Sequence, residues 1–315
     1  MKIVVLDGYA LNPGDNPWDA VAALGELKVY DRTAPEEILS RSAGAEILMT
    51  NKTPLGEAEF AKLPGLRYIG VLATGYNVVD VSAAARHGIT VTNIPTYGTD
   101  SVAEHTFALM LELCRGVGIH AASVRRGEWS ACPDYSYSVT PQIELRGKTL
   151  GLVGYGRIAR RTAEIARAFG MRILCNTPHP TEESDVCFCD RDTLCRESDF
   201  ISLHCPAKPD TVNMIDASFL AAMKPTAYLV NTSRGQLVVE EDLRDALERG
   251  RIAGAAVDVL SCEPPKENVL IGAKNCIVTP HIAWATREAR ARLMAAAAEN
   301  LRAYLAGKPI NAVTE

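Results

Sequence analysis

Short apolar runs rich in β-branched residues alternate with helical or turn-forming segments in the first third of the chain. The runs cover residues 2–7, 46–50, 67–73 and 89–93. Strands that alternate with helices are typical of a parallel sheet covered by helices. We therefore predict a first α/β unit that ends near Asn93-Ile94-Pro95.

A second series of apolar runs follows a predicted helix. We expect this helix to begin at Asp100 or Ser101, because Ser101 and Glu104 have the spacing of a capping box and apolar residues then recur at helical spacing. The later runs cover residues 149–154, 172–176, 200–205, 227–232, 253–259 and 276–280. Six strands with intervening helices predict a doubly wound nucleotide-binding sheet.

The Ala- and Arg-rich segment 285–306 predicts one long helix that returns to the first unit. The chain is thus predicted to be an α/β protein with two doubly wound parallel-sheet domains. Residues 1–99 and 285–315 form a flavodoxin-like domain, and residues 100–284 form a Rossmann dinucleotide-binding domain. The length of 315 residues agrees with two domains, since one hydrophobic core rarely grows to that size.

Composition narrows the classes of partner. With 47% hydrophobic and 23% charged residues the chain is globular, and a formal net charge of −5 argues against nucleic-acid or anionic-membrane partners. No run approaches the roughly 20 apolar residues of a membrane span, and the N-terminus turns polar too early for a signal peptide, so we expect a cytoplasmic protein.

The nine cysteines are interpreted as reduced thiols. Cys187, Cys189 and Cys195 match no strong zinc spacing, and no metal is expected.

A glycine-rich turn, Gly154-x-Gly156-x-x-Ala159, follows one predicted strand and opens a helix. Gly154 permits a tight turn, Gly156 lets the backbone approach a pyrophosphate, and Ala159 allows the helix to pack closely on the strand. The helix N-terminus then presents N–H groups to the phosphates. Alone, the pattern also fits a turn without a ligand, but the strand before it and the helix after it favour a dinucleotide site.

The acid that usually binds the ribose 2′-hydroxyl, about twenty residues further on, is absent. The strand instead ends Cys175-Asn176-Thr177-Pro178-His179. Without a carboxylate at this position, a 2′-phosphate is not repelled. Without a nearby Arg, only Thr177 and His179 would attract it, and the attraction would be modest. NAD is therefore favoured as the cofactor, and NADP or dual use stays open.

Three polar residues each follow a predicted strand of the nucleotide-binding sheet: Arg234 in VNTSRG, Glu263 in VDVLSCEPP and His281 in VTPHIAW. A guanidinium can bind a carboxylate through two hydrogen bonds, and an imidazolium can donate a proton to a carbonyl oxygen. A carboxylate beside an imidazole fixes its tautomer and raises its pKa. Singly, these residues fit a surface ion pair, a solvated loop residue and a turn cap. Their joint placement after a dinucleotide turn favours hydride transfer at a 2-oxo acid.

These segments resemble the D-isomer-specific 2-hydroxyacid dehydrogenase family over nearly the whole chain. The resemblance implies that Arg234 binds the substrate carboxylate, that Glu263 assists, and that His281 is the general acid/base. It places Asp258 beside the nicotinamide carboxamide. It also implies that the cofactor is contacted by Gly154, Tyr155, Gly156, Arg157, Ile158, Thr177, His204, Cys205, Pro206, Thr232, Ser233, Arg234, Asp258 and His281. The first domain then becomes the substrate domain.

Within the family, GVLATGYNVVDV, NIPTYGTDSVAEHTFALML and the Trp after TPHIA look like the glycerate dehydrogenase, or hydroxypyruvate reductase, branch. This implies reversible reduction of hydroxypyruvate to D-glycerate, with glyoxylate as a side substrate. Thr74, Gly75 and Tyr76 would offer backbone N–H groups to the substrate carboxylate. Trp284 would either form a pocket wall near the substrate or be an interdomain packing residue. Pyruvate or 3-phosphohydroxypyruvate stay open as substrates.

The family commonly forms dimers through the nucleotide domain, so a homodimer is expected. The helix 101–117 could take part in it, or it could bury its apolar face within its own domain. An NAD(H)-sensing binding protein remains the alternative from another class. It is disfavoured because Arg234, Glu263 and His281 are all present.

Overall fold

The computed structural model describes residues 1–314. The chain forms two compact units. Unit 1 comprises Met1–Gly98 and Trp284–Glu315, and unit 2 comprises Thr99–Ala283. Each boundary lies one residue from the one predicted. The polypeptide therefore passes from unit 1 into unit 2 and back.

Unit 1 is built on a five-stranded parallel sheet with the order β2-β1-β3-β4-β5. The strands are β1 (Lys2–Val5), β2 (Glu26–Val29), β3 (Ile47–Thr50), β4 (Tyr68–Val71) and β5 (Thr90–Thr92). This order is that of flavodoxin-like sheets, as predicted. Alternate residues of β1 enter separate cores on the two faces, with Val4 in one and Ile3 and Val5 in the other.

The pattern of apolar residues did not predict β2. Its sequence ELKV contains two charged residues, and the strand lies at the edge of the sheet with side chains that are exposed or half-buried. An edge strand buries little apolar surface, so it leaves no continuous hydrophobic run in the sequence.

Five helices accompany this sheet: α1 (Asp19–Ala22), α2 (Ile38–Ser42), α3 (Glu57–Phe60), α4 (Val81–Arg86) and, after unit 2, α11 (Arg287–Leu305). The last helix confirms the one predicted over 285–306. Thr286 caps it by accepting a hydrogen bond from the Ala289 N–H at 3.2 Å. Its residues Leu293, Met294 and Leu301 are buried in the same core as Ile3. Burial of this face, rather than helix propensity, fixes α11 on unit 1.

Unit 2 contains a seven-stranded, wholly parallel sheet with the order β12-β11-β10-β9-β6-β7-β8. The strands are β6 (Thr149–Val153), β7 (Arg172–Asn176), β8 (Cys187–Phe188), β9 (Phe200–Leu203), β10 (Tyr228–Asn231), β11 (Gly254–Val257) and β12 (Cys276–Val278). The order is the Rossmann order extended by a seventh strand, which confirms the predicted fold class. Because β10, β11 and β12 are parallel neighbours, their carboxyl ends share one edge of the sheet.

The helices of unit 2 are α5 (Thr99–Arg115), α6 (Val117–Arg125), α7 (Arg157–Ala168), α8 (Arg191–Glu197), α9 (Ala217–Ala222) and α10 (Glu240–Glu248). The predicted capping box is wrong, because α5 begins at Thr99 and places Ser101 inside its first turn. The Ser101 hydroxyl is buried and donates to the Ala283 carbonyl at 2.5 Å, while Glu104 is exposed. A tertiary partner has thus replaced the local one.

No single helix of residues 1–314 combines the length and hydropathy of a membrane span; α5 and α6 reach them only together, across a bend of 57°. The apolar face of α5, with Phe107 and Met110, lies in the core of unit 2. All nine cysteines fall within the described residues and are free. No cluster of His, Cys, Asp and Glu in this part of the chain could hold a metal ion.

Candidate active site

The glycine-rich turn joins β6 to α7. Gly154 has φ +90°, and a Cβ there would lie 2.7 Å from the His204 carbonyl oxygen, so only glycine fits. Gly156 is the N-cap of α7, and a Cβ there would meet nothing within 4 Å. Its lack of a side chain therefore leaves open space at the helix N-terminus, where N–H groups face outward. This geometry fits the pyrophosphate of a dinucleotide.

The segment His204-Cys205-Pro206 follows β9 and lies against this turn. Burial lowers the pKa of His204 to about 4, and burial raises the pKa of the Cys205 thiol to about 11. Both side chains are therefore uncharged at neutral pH. His204 Nε2 forms a hydrogen bond with Ser202 Oγ at 2.9 Å. This side of the predicted cofactor site is polar but neutral.

The end of β7 carries no carboxylate, but one reaches the glycine-rich turn from further along the chain. Glu183 accepts a hydrogen bond from the Tyr155 hydroxyl at 2.5 Å and forms an ion pair with Arg160. The Arg160 guanidinium lies 4.5 Å from the centre of the Tyr155 ring. Thr177, which follows the strand end, accepts a hydrogen bond from the His179 N–H at 3.3 Å. Sequence spacing did not identify Glu183, because its contacts are tertiary.

The loop after β10 is held by its own side chains. Asn231 donates from Nδ2 to the Arg234 carbonyl at 2.8 Å and accepts the Ser233 N–H at 3.0 Å. Ser233 Oγ donates to the Leu203 carbonyl at 2.6 Å, and Thr232 pairs with Thr106 at 3.1 Å. The Arg234 side chain is exposed, with Nη1 donating to the Ser233 carbonyl at 2.7 Å. A rigid backbone therefore presents a guanidinium at the edge of the sheet.

The loops after β11 and β12 bring Glu263 and His281 into contact. Glu263 Oε2 lies 2.6 Å from His281 Nδ1, and its Oε1 accepts the Leu260 N–H at 2.9 Å. The two side chains are about 31% and 29% exposed. Since Nδ1 is occupied by the carboxylate, Nε2 is the nitrogen left to face a substrate. The structure thus brings together two of the three residues predicted to act in catalysis, and it places the third on the adjacent strand end.

Asp258 organises the backbone around His281. Its wholly buried carboxylate accepts hydrogen bonds from Thr279 Oγ1 at 2.6 Å and from the Ile282 and Ala283 N–H groups at 2.9 Å. Its carbonyl accepts the His281 N–H at 2.8 Å. His281 has φ +54°, an unusual value for a residue other than glycine. These bonds hold His281 in a conformation that it would rarely adopt alone.

Hydrogen bonding decides the ionisation of Asp258. Burial alone would raise its pKa, but the contacts from His105, from Thr279 and from the backbone N–H groups outweigh burial and lower the pKa below its usual value. His105 Nε2, on α5, lies 3.5 Å from Asp258 Oδ1 and 3.3 Å from Thr279 Oγ1. His105 was given no role from the sequence, although it lies in the segment NIPTYGTDSVAEHTFALML that carries part of the family resemblance. A contact of Asp258 with the nicotinamide carboxamide stays a prediction.

The predicted substrate residues Thr74, Gly75, Tyr76 and Trp284 belong to unit 1. Thr74 is anchored by donating from Oγ1 to the Ile94 carbonyl at 2.8 Å and by accepting from Asn93 Nδ2 at 2.7 Å. Trp284 packs edge-on against Tyr97, with ring centres 6.2 Å apart. Trp284 therefore has a packing contact within unit 1, and its role as a pocket wall stays a prediction.

Comparisons with known proteins agree with this geometry. The family described as D-isomer specific 2-hydroxyacid dehydrogenase, NAD binding domain, matches residues 107–283. A hydroxypyruvate reductase of Blautia hydrogenotrophica is 50% identical and covers 100% of both chains. A glycerate dehydrogenase of Methylorubrum extorquens is 44% identical and covers 91% of this chain and 92% of its own. A solved structure of an acyclic imino acid reductase with NADPH and D-Arg is 33% identical, covers both chains completely and has a TM-score of 0.87.

The chain belongs to the D-isomer-specific 2-hydroxyacid dehydrogenase family. It is an NAD(P)-dependent oxidoreductase of the type that includes hydroxypyruvate reductases and glycerate dehydrogenases. The matched residues 107–283 include the glycine-rich turn between β6 and α7, and its role in binding the dinucleotide stays a prediction. The predictions of family, fold class and cofactor class are thereby confirmed.

Proposed function

We propose that this enzyme catalyses the reversible reduction of hydroxypyruvate to D-glycerate and accepts glyoxylate as a second substrate. The observation that carries the proposal is the 2.6 Å contact of Glu263 with His281 Nδ1, at the sheet edge that also presents Arg234. The two curated relatives named above, a hydroxypyruvate reductase and a glycerate dehydrogenase, support the substrate.

Each of the three residues has a distinct role in this proposal. Arg234 binds the substrate carboxylate through its exposed guanidinium and so orients the carbonyl carbon. His281 donates a proton from Nε2 to the carbonyl oxygen during reduction and takes it back during oxidation. Glu263 holds the Nδ1 proton and stabilises the imidazolium. The bound dinucleotide supplies the hydride in reduction and accepts it in oxidation.

Steady-state kinetics with hydroxypyruvate, glyoxylate, pyruvate and 3-phosphohydroxypyruvate, each with NADH and NADPH, test the substrate. We expect the highest kcat/KM for hydroxypyruvate. A higher value for either of the last two acids would assign another substrate. His281→Gln should lower kcat by about 10²-fold or more, whereas Arg234→Gln should mainly raise KM. Near wild-type turnover of His281→Gln on every acid would refute the assignment of the proton donor.

We propose a preference for NADH, on the basis of Glu183. A 2′-phosphate is usually bound by an arginine, and the nearby Arg160 is already paired with the Glu183 carboxylate. Glu183 therefore offsets the positive charge that would attract NADPH. Near the glycine-rich turn, Glu183 thus supplies the negative charge that the end of β7 lacks.

The substrate contacts of unit 1 form a further part of the proposal. Thr74, Gly75 and Tyr76 are proposed to bind the substrate carboxylate through backbone N–H groups, and Trp284 to border the substrate. The anchoring of Thr74 by Ile94 and Asn93 gives this turn a fixed conformation. Thr74→Val should therefore raise the KM for hydroxypyruvate without changing the KM for NADH; an equal rise in both would remove the turn from substrate binding.

A homodimer is proposed from the distribution of exposed apolar residues. The face of α5 is buried within unit 2, but α6 and the segment after it expose Val117, Ile119, Val124 and Trp129. A second copy of the chain would cover this patch. Sedimentation velocity should give a dimer for the wild type and a monomer for Val117→Lys; a monomeric wild type would refute the proposal.

A cytoplasmic location is also proposed, because the nine cysteines are free thiols, and cell fractionation would test it.

A further inference from the structure

Glu240, at the start of α10, is a buried carboxylate outside the predicted catalytic set. It is only 8% exposed, yet three donors surround it. Its Oε1 accepts the Ser261 N–H at 2.7 Å, and its Oε2 accepts Ser261 Oγ at 2.8 Å and Asn268 Nδ2 at 2.8 Å. All three are neutral groups of the loop that carries Glu263. A buried charge held in this way is costly to disturb, because its hydrogen bonds replace its hydration.

Two further contacts hold the same stretch of loop. Gln236 donates from Nε2 to the Ser261 carbonyl at 3.0 Å. Gly235 allows the loop to approach, because a Cβ there would lie 1.9 Å from the Leu260 carbonyl carbon. The N–H, the hydroxyl and the carbonyl of Ser261 are thus all engaged. The backbone on both sides of Ser261, including the peptide between Leu260 and Ser261, is therefore held in place.

This peptide is adjacent to the donor that orients Glu263. The Leu260 N–H donates to Glu263 Oε1, and Glu263 Oε2 contacts His281 Nδ1. A shift at Ser261 would therefore move the Leu260 N–H and rotate the carboxylate away from the imidazole. Glu240 is thus connected to the Glu263–His281 pair by the hydrogen bond to the Ser261 N–H, the covalent peptide link between Ser261 and Leu260, and the hydrogen bond from the Leu260 N–H to Glu263.

We propose that Glu240 is a positioning residue for proton transfer: it holds the loop Leu260–Asn268 so that Glu263 stays aligned with His281. The inference rests on the proposed roles of Glu263 and His281. We assign Glu240 no direct part in the chemistry. In the described part of the chain no Lys or Arg forms an ion pair with Glu240, and its three side-chain hydrogen bonds come from Ser261 and Asn268.

The test compares Glu240→Gln with Glu241→Gln, whose exposed side chain on the same helix provides the matched control. Glu240→Gln should lower kcat for hydroxypyruvate reduction by about tenfold, since misalignment of a catalytic group is costly, with little change in either KM. The pH at which reduction declines on the alkaline side should fall, because an imidazolium no longer faces an aligned carboxylate. Glu240→Asp should recover part of kcat, and Glu241→Gln should behave as wild type.

Glu263→Gln, measured in parallel, separates this inference from the proposed function. The double variant Glu240→Gln/Glu263→Gln should be no slower than Glu263→Gln, since both changes act through one carboxylate. If Glu263→Gln shifts the pH profile and Glu240→Gln does not, the role of Glu240 is refuted and the proposed function stands. If Glu263→Gln itself leaves the profile unchanged, the proposed function fails.

Ser261→Ala provides a second test in case Glu240→Gln does not fold. It removes only the hydroxyl donor to Glu240 and keeps the N–H donor, so the loop should fold. We expect a decrease in kcat of about threefold with the same direction of change in the pH profile. If Glu240→Gln does not fold and Ser261→Ala keeps the wild-type kcat and pH profile, the inference is refuted.

Discussion

Gly235→Ala tests how closely the loop that carries Glu263 packs against the loop that carries Arg234. Gly235 follows Arg234 directly, and its φ is not positive, so alanine is compatible with the backbone conformation. The conflict is one of space alone. A Cβ at this position would lie 1.9 Å from the Leu260 carbonyl carbon, 2.1 Å from its oxygen and 2.3 Å from the Ser261 nitrogen.

These distances give the size of the expected effect. Real Cβ atoms essentially never approach heavy atoms closer than 3.0 Å, so the Leu260–Ser261 peptide must move by at least about 1 Å. All three conflicting atoms are backbone, so no side-chain rotation relieves the conflict. A misplacement of about 1 Å in a catalytic group costs about 10²-fold in rate. Overpacking of this kind also costs about 1–3 kcal/mol in the free energy of unfolding.

The assay is kcat for hydroxypyruvate reduction at saturating cofactor, together with urea denaturation. Gly65→Ala is the matched control, because a Cβ there meets nothing within 4 Å and the φ of Gly65 is also not positive. We expect a loss of about 10²-fold in kcat for Gly235→Ala and no change for Gly65→Ala. A kcat within about twofold of wild type, with the protein folded, would mean that the Glu263–His281 alignment does not depend on this packing.

Three further predictions concern the remaining buried or charged groups. Asp258→Asn should lower the free energy of unfolding by about 3 kcal/mol at pH 7 in urea titrations, because an NH₂ group would then face backbone N–H donors. Without cofactor, the free energy of unfolding should fall by up to about 3 kcal/mol as the pH drops from 6.5 towards 4, because His204 binds a proton in the unfolded chain but not in the folded one. In thermal melts, His204→Gln should abolish this dependence on pH. Glu183→Gln should raise kcat/KM for NADPH relative to NADH by about tenfold, because Arg160 loses its partner; an unchanged ratio would exclude Glu183 from cofactor choice.

The central strands of both sheets were predictable because they are buried on both faces and appear as continuous apolar runs. The two missed strands lie at sheet edges. β2 contains charged residues, and β8 comprises only Cys187–Phe188, too short to form a pattern. The start of α5 was misplaced for another reason. The Ser101 hydroxyl binds the Ala283 carbonyl, a partner 182 residues away that no local rule can anticipate.

Some residues of the candidate site could likewise be predicted from the sequence, and others could not. Arg234, Glu263 and His281 were recognisable because each follows a predicted strand within a short motif, and the sheet order then places these strand ends at one edge. The residues that position them were not recognisable. His105 and Glu240 contact Asp258 and Ser261, respectively, from α5 and α10, and no residue spacing in the sequence predicts either contact.

This difference has a physical origin in the loops themselves. A loop that carries a catalytic side chain has no ladder of backbone hydrogen bonds, so other polar groups must satisfy its N–H and carbonyl groups. Such groups can come from any element that passes nearby, as Glu240 does for Ser261 across 21 residues. Motifs therefore predict the candidate catalytic groups, whereas the groups that hold them in place follow from the packing of the whole unit. We expect substitutions at this second set to change kcat and the pH profile more than either KM, because they alter alignment and leave the binding groups intact.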